Sequence, residues 1–579
     1  MRAPWGGMAA VAAEARPGLA RRFDASVLLW LAAAAVLGFL VLVPMAWLVY
    51  ASLQERETGA LTFANYLEAF SKSIYLRPIL TSLELAISVA LIAVTMGTVI
   101  AWLVARSDMP GRWLMRSLIL GAFTTPPFLG ATAWIFLAAP NSGWINKAWV
   151  ALTHAQRGPI SIFSLGGAIF VMSIYSVPYA FTFVAGALEL MSSEIEDAAA
   201  SLGAGTWRTT FHVTLPLVMP AIVSGFIMSF LEALALFGVP AFLLIPARQQ
   251  VVTTQLYLFF QNPLRLELAA AYAIPLLLVT MLLLYLQRRL IGRKRFTTIT
   301  GKGGVKRPFK LGRWRWPALG ACLLLPLLSL FLPYAALLAT SLSRAWGKGP
   351  VPGNLTLYWY QWALFVNKPT QIAITHSLWY SAVAASIALV VAVLVSYVVQ
   401  RKLLPGGEVL GFVAMAPFVV PGIVLAIGFF SAYAHPPIVL YGTAGILIAA
   451  FATRFLPIAY SNATSIIRAI NPELENAART LGCGRIGSLW AVTLPLLRRG
   501  ILAGWLLVFI PALRELSSAI FLFTPRTTVM TTVIFDLSDA GNYEAVSTLG
   551  IVMMLITFTI VTLAYRFLGR DFMAHRQTA

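Results

Sequence analysis

Three charged residues, Glu232, Arg454 and Glu515, lie inside long apolar runs of the sequence. In a bilayer-spanning helix such a charge costs about 3 kcal/mol or more, so each is a candidate for handling a solute or a gate. Arg454 is the best placed, and its counterpart in the first half of the chain is Tyr175. Two readings of it stay open, a structural ion pair or carbonyl clamp and a substrate or gating role. Glu84 and Glu189 fall near the ends of their runs, where snorkelling or hydration accounts for them. Pro126, Pro127, Pro417 and Pro421 break helices at similar places in the two halves. Such breaks line a path where backbone meets water, or serve as packing kinks. Of these, Pro127 and Pro421 join the three charges as candidates for a translocation path. Hard oxygen ligands would suit ferric iron, but the carboxylates are scattered and so are the five histidines, so no metal site is assigned. Cys322 and Cys483 suit neither a disulfide nor a thiolate site.

A second group of residues points to docking rather than catalysis. The stretch "EDAAASLGAGTWRTTFHVTLP", Glu196 to Pro216, returns as "ENAARTLGCGRIGSLWAVTLP", Glu475 to Pro495, without an internal gap. Each copy begins with helix-initiation chemistry. Ser193 with Glu196 fits a capping box, and Asn471 can cap a helix whose first position is Pro472. An apolar stripe follows, Ile195, Ala198, Ala199 and Leu202, matched by Leu474, Ala477, Ala478 and Leu481. Gly203 and Gly482 then stand where a helix stops in the left-handed conformation. A two-turn helix with a small Ala-rich face buries little area alone but allows close approach of another surface. Glu194, Glu196 and Asp197 add charge that favours the helix dipole and is available to a basic partner. An amphipathic loop resting on the membrane would not need matched text, so the expectation is a protein-docking element used twice.

The elements that must position these residues are membrane helices. The chain of 579 residues is 59% hydrophobic and 11% charged, against about 25% charged for a soluble domain. Runs of about 20 or more apolar residues recur throughout, which predicts an all-α polytopic membrane protein of about twelve spans. They are expected at 27–51, 79–105, 117–139, 162–190, 217–245, 266–287, 317–341, 377–400, 410–432, 443–467, 496–523 and 547–568. The first exceeds a signal-peptide core and no small-residue cleavage site follows it, so it reads as an uncleaved anchor. Most of the 42 Lys and Arg fall in segments that are cytoplasmic if the N-terminus is inside, which places both termini there. The net charge of +21 is mostly this bias, helped by anionic lipid, and needs no nucleic acid.

Six spans per half is an even number, so the halves enter the membrane the same way, as parallel repeats with a path between them. The expected layout is a cytoplasmic tail (1–26), a first half (27–287, its core domain from about 78), a basic cytoplasmic linker (288–316), a second half (317–568, its core domain from about 374) and a tail (569–579). The "GKGG" at Gly301 to Gly304 lacks the glycine and the Ser/Thr of a phosphate loop, and no nucleotide site is visible.

The polar loops carry a family resemblance. "DAAASLG" and "NAARTLG", each followed after nine residues by "VTLP", resemble the EAA loop of type-I permeases of ABC importers. The departures are Asp197 and Asn476, where the family usually has Glu, and Val213 and Val492, where Ile is commoner. Asn476 lacks a charge that Asp197 keeps, so the resemblance implies two unequal coupling sites.

The resemblance implies two permease modules in tandem, in the inner membrane of a bacterium, whose loops (Glu196, Asp197, Ala198, Ala199, Gly203 and Pro216; Glu475, Asn476, Ala477, Ala478, Gly482 and Pro495) dock on a separate ATPase homodimer. ATP would be used by that partner, with no cofactor bound by this chain, and a periplasmic binding protein would deliver substrate. "TTPPFLGATAWIFLAAPNSGWINKAW" (Thr124 to Trp149), "RFLP" (Arg454 to Pro457) and "RELSSAIFLFTP" (Arg514 to Pro525) look similar to ferric iron permeases. Thiamine, polyamine and phosphonate permeases share the layout. A secondary transporter of the major facilitator type also has twelve spans, and "RSDMPGR" brushes its loop signature. Val104 stands in place of the glycine that signature needs, and the fold does not predict paired loops. A channel or scaffold fits less well, since nothing here forms a filter or a large soluble domain.

Overall fold

The computed structural model describes residues 25–192, 194–261, 263–292, 308–403 and 405–568. Ser193 with its expected cap, residues 1–24, the stretch 293–307 with its "GKGG", and the tail 569–579 lie outside the described residues. Among the described residues the secondary structure is helical, with three isolated bridges and no strand.

Twelve helical segments in chain order have the length and apolar content to cross a bilayer, three of them as bent pairs. In the first half these are α1 (Val27–Ser52), α2 (Ser73–Arg106), α3 (Arg112–Thr124 and Pro127–Ala138, bent by 97°), α4 (Leu165–Leu190), α5 (Trp207–Ala235) and α6 (Leu266–Arg289). In the second they are α7 (Gly312–Ser341), α8 (Lys368–Gln400), α9 (Gly407–Phe418 and Gly422–Tyr433, bent by 112°), α10 (Ala444–Ala469), α11 (Leu489–Arg498 and Gly500–Leu513, bent by 61°) and α12 (Tyr543–Leu563). The breaks in α3 and α9 fall at Pro126–Pro127 and before Pro421, where a missing N–H and a crowded ring end the preceding helix.

Two expected spans are shorter than the apolar text suggested. The stretches 217–245 and 496–523 each fold as a long helix that stops early, at Ala235 and at Leu513. The apolar residues beyond form separate buried helices, Gly238–Leu243 and Ala519–Leu522. Leu236 turns extended, and Gly238 and Pro240 are poor residues for continuing a helix interior. In the second half the stop places Arg514 and Glu515 at a helix end rather than mid-helix.

Proline also shapes four helices from within. Gly38–Leu42, Thr210–Thr214, Leu327–Phe331 and Leu489–Thr493 are π turns, each followed two residues later by Pro44, Pro216, Pro333 or Pro495. An extra residue in the turn relieves the clash between the proline ring and the carbonyl four residues back. Carbonyls in these turns are free to accept from other helices. Tyr433 Oη donates to Phe39 O at 2.5 Å and Thr453 Oγ1 to Leu40 O at 3.2 Å, while Tyr175 Oη donates to Ser329 O at 3.0 Å.

These bonds show that the halves interlock. α1 packs on α9 of the second half, and α7 packs on the Pro127–Ala138 limb of α3 in the first. Within the first half, Arg265, just before α6, forks onto Glu68 in the loop between α1 and α2 with two bonds of 2.8 Å. Those bonds, with one from Lys72, hold the Glu68 carboxyl down at about 2.

Within the first half, α2 and α4 form the most extensive helix pair, and Gly97 lets them approach closely. A Cβ there would lie 2.7 Å from Ala180 Cβ and 2.9 Å from the Phe181 backbone nitrogen. Gly186, also in α4, faces open space. Gly97→Ala should therefore destabilise the purified chain by about 1–3 kcal/mol. Gly186→Ala should leave it unchanged or gain up to about 1 kcal/mol from helix propensity. Thermal unfolding in detergent reads both, and equal melting shifts would contradict the packing account.

Candidate functional site

Both polar loops fold as short helices, Glu194–Ser201 and Pro472–Thr480. Asn471 caps the second, its side chain accepting from Glu473 N at 3.0 Å, with Pro472 at the first position as expected. Each helix closes on its glycine. Gly203 has φ +82° and Gly482 φ +95°, and the next amide folds back onto the alanine carbonyl five residues earlier (Ala204 to Ala199, 3.0 Å; Cys483 to Ala478, 3.1 Å).

The acidic residue of each loop faces inward. Arg106, the last residue of α2, pairs with Glu196 at 3.4 Å, and Thr214 Oγ1 donates to Glu196 at 2.7 Å. In the second copy Arg401, at the end of α8, reaches Glu475 at 2.8 and 3.0 Å, and Thr493 donates at 2.8 Å. The same arginines also cap the preceding helix, Arg106 on Met191 O at 2.8 Å and Arg401 on Ile470 O at 3.3 Å. Glu196 and Glu475 are thus engaged within the chain, and the reading of Glu196 as charge offered to a partner gives way to an anchoring role. What the loops present outward is Asp197 and Ala198 or Asn476 and Ala477, all exposed, beside Leu202 and Leu481, which are 90% and 87% exposed. Ala199 and Ala478 are half-buried beneath.

The two anchors differ in strength. Tyr397 adds a bond to Glu475 at 3.2 Å, and the Glu475 side chain is 8% exposed against 21% for Glu196. The matching residue of α2 is Trp102, which instead stacks on Trp207 and packs at a tilt against Phe309 of the linker.

A cavity of about 240 Å³ opens between the halves, lined by Tyr175, Tyr179 and Glu232 of the first and Arg454, Arg514 and Glu515 of the second. Pro127 lines it too, and Pro421 stands at its edge. A Cβ on the neighbouring Gly422 would lie 3.2 Å from Glu515 and 3.4 Å from Arg454. Four of the five candidate path residues thus line one cavity, and the fifth, Pro421, is the chain neighbour of Gly422 beside it.

Ser176 donates to Glu232 at 3.0 Å, and Glu515 accepts from the Ser518 amide at 3.0 Å. Arg454 donates to Val420 O at the break of α9, which is the carbonyl-clamp geometry. Arg514 does the same across the halves, donating to Phe123 O at 2.8 Å and Thr124 O at 2.7 Å at the break of α3. Arg514 and Tyr179 were not singled out in the sequence. The available signal was Ala235, the residue matching Arg514 in the repeat, which shows that the charge belongs to one half only. Among the described residues no group of three His, Cys, Asp or Glu is placed to hold a metal ion.

Duplicated helical halves, paired loops and a central charged cavity define a membrane transport subunit. The model of the family described as binding-protein-dependent transport system inner membrane component matches residues 93–296 and 405–573, once in each half. The chain belongs to that family, as a tandem permease of the ABC importer type in the inner membrane. It is 24% identical over 503 residues to the ferric transport system permease protein FbpB of Actinobacillus pleuropneumoniae, covering 84% of this chain and 70% of that one. It is also similar to the molybdenum transport system permease protein ModB of Escherichia coli K12 (29% over 190 residues, 32% and 80% covered). A third relative is the putative 2-aminoethylphosphonate transport system permease protein PhnV of Salmonella typhimurium (28% over 231 residues, 40% and 86% covered).

Arg401→Ala would strand a buried carboxylate, which costs about 3–5 kcal/mol. The second loop helix should then open more readily, and trypsin should cleave after exposed Arg479 faster. Adding Glu475→Ala should restore part of the protection. Cleavage rates that respond to the two changes additively would show that the pair does not anchor the helix.

Proposed function

We propose that this chain carries ferric iron inward, receiving it from a periplasmic binding protein and drawing on ATP hydrolysed by a separate ATPase homodimer. One ATPase subunit engages each loop, and both termini lie on the same cytoplasmic side, in keeping with the Lys and Arg bias. The observation that carries this reading is the loop anchor built twice. In each copy a Glu–Arg–Thr cluster holds an exposed small and apolar face rigidly against the end of α2 or α8. A push on that face passes into two membrane helices at once, through charge-assisted bonds, and from there to the cavity between the halves.

Ferric iron is the cargo named for the relative that covers most of this chain. A second reading, an oxyanion or phosphonate, is favoured by one observation: Arg454 and Arg514 both reach the cavity, and guanidinium is well suited to oxygen-rich anions. Metal analysis and mass spectrometry of the cognate binding protein, purified without added ligand, decide between them. Bound iron is the expected result, and a protein loaded with phosphonate or molybdate would overturn the iron reading.

The loops yield a further expectation. Gly203→Val and Gly482→Val place a β-branched residue at positive φ, at a cost of about 1–2 kcal/mol or more. Insertion should be normal while substrate-stimulated ATP hydrolysis falls severalfold; unchanged coupling in both variants would count against the docking role.

A further inference from the structure

The geometry points to Arg514 as a positioning residue that latches the two halves across the cavity and sets which face of the membrane the cavity meets. Three observations carry it. Arg514 belongs to the second half, yet its Nη1 donates to Phe123 O and Thr124 O of the first, at 2.8 and 2.7 Å. Those carbonyls end the first limb of α3 just before its 97° break, where helix carbonyls lack partners and carry partial negative charge. Arg454 caps the corresponding break of α9, but from within the same half, so it can follow that half in any motion.

Arg514 cannot. If the halves rock against one another, its two charge-assisted bonds must break or exchange. The repeat offers no second copy of this device, because Ala235 stands at the matching position. The guanidinium contact therefore lies off the pseudo-twofold axis rather than forming one of a symmetric pair, and it is the charged member of a set of cross-half bonds at the cavity that includes Tyr175 to Ser329. The inference rests on the importer reading only in treating the halves as moving parts, and its test needs neither ATP, ATPase nor substrate.

The test uses the full chain in membranes with Cys483→Ser, Cys322 being buried, and a reporter at Ala235→Cys, which lines the cavity. A membrane-impermeant maleimide is applied from either face, using right-side-out and inside-out vesicles. Arg514→Gln should raise the labelling rate about tenfold on one face and lower it on the other, because a two-state population is being shifted. Arg514→Lys, which keeps the charge but on a shorter side chain with a more strongly hydrated ammonium, should fall between. A residue that merely stabilises packing would raise labelling per inserted chain on both faces. That result, or unchanged rates on both faces with either substitution, overturns the latch. Where the Gln variant fails to insert, the Lys variant carries the same comparison.

Discussion

A carboxylate gripped by one guanidinium and one threonine hydroxyl, at the junction of a loop with a membrane helix, is the interaction on which the molecule turns. An eight- or nine-residue helix is marginal in water, since nucleation costs more than so few bonds return. Glu475, bound by Arg401, Thr493 and Tyr397, holds such a helix in place and ties it to α8. Arg401 also caps the end of α10, so three elements meet on one side chain. Glu196, Arg106 and Thr214 repeat the arrangement without the tyrosine. A loop fixed this way is tied to two membrane helices, whereas a loop merely resting on lipid would be tied to neither.

Proline does comparable organising inside the apolar layer. It breaks α3 and α9, whose ends then need donors, and two arginines supply them at the cavity. Where it follows a π turn, the widened turn presents carbonyls to hydroxyls of the opposite half, and these help explain how α1 and α7 are held across the molecule. Irregular backbone is tolerated at these points because protein groups satisfy it.

Much of this was legible in the text. The gapless repeat marked both loops, Gly203 and Gly482 marked where their helices stop, and Asn471 with Pro472 marked where one begins. Pro127, Glu232, Arg454 and Glu515 line one cavity, and Pro421 precedes Gly422 beside it. Other features were hidden because they depend on contacts distant in sequence. The offset between halves changes from 279 residues at the loops to 295 at Arg106 and Arg401, so nothing local announced that these arginines bind the loop glutamates. Glu196 accordingly looked available. Arg514 falls inside the expected span 496–523, and only the early stop at Leu513 brings it to a helix end against α3. Apolar composition cannot separate a continuing span from a buried helical turn, which is why 238–245 and 516–523 were read as parts of longer helices.

The central claim is that force arrives from an ATPase through both loops and moves the halves about the cavity. The most direct measurement is uptake into proteoliposomes holding this chain with its ATPase and binding protein, compared with proteoliposomes of the chain alone under an imposed ion gradient. The account predicts uptake that needs ATP, the ATPase and the binding protein together and ignores the gradient. Gradient-driven uptake by the chain alone would contradict it.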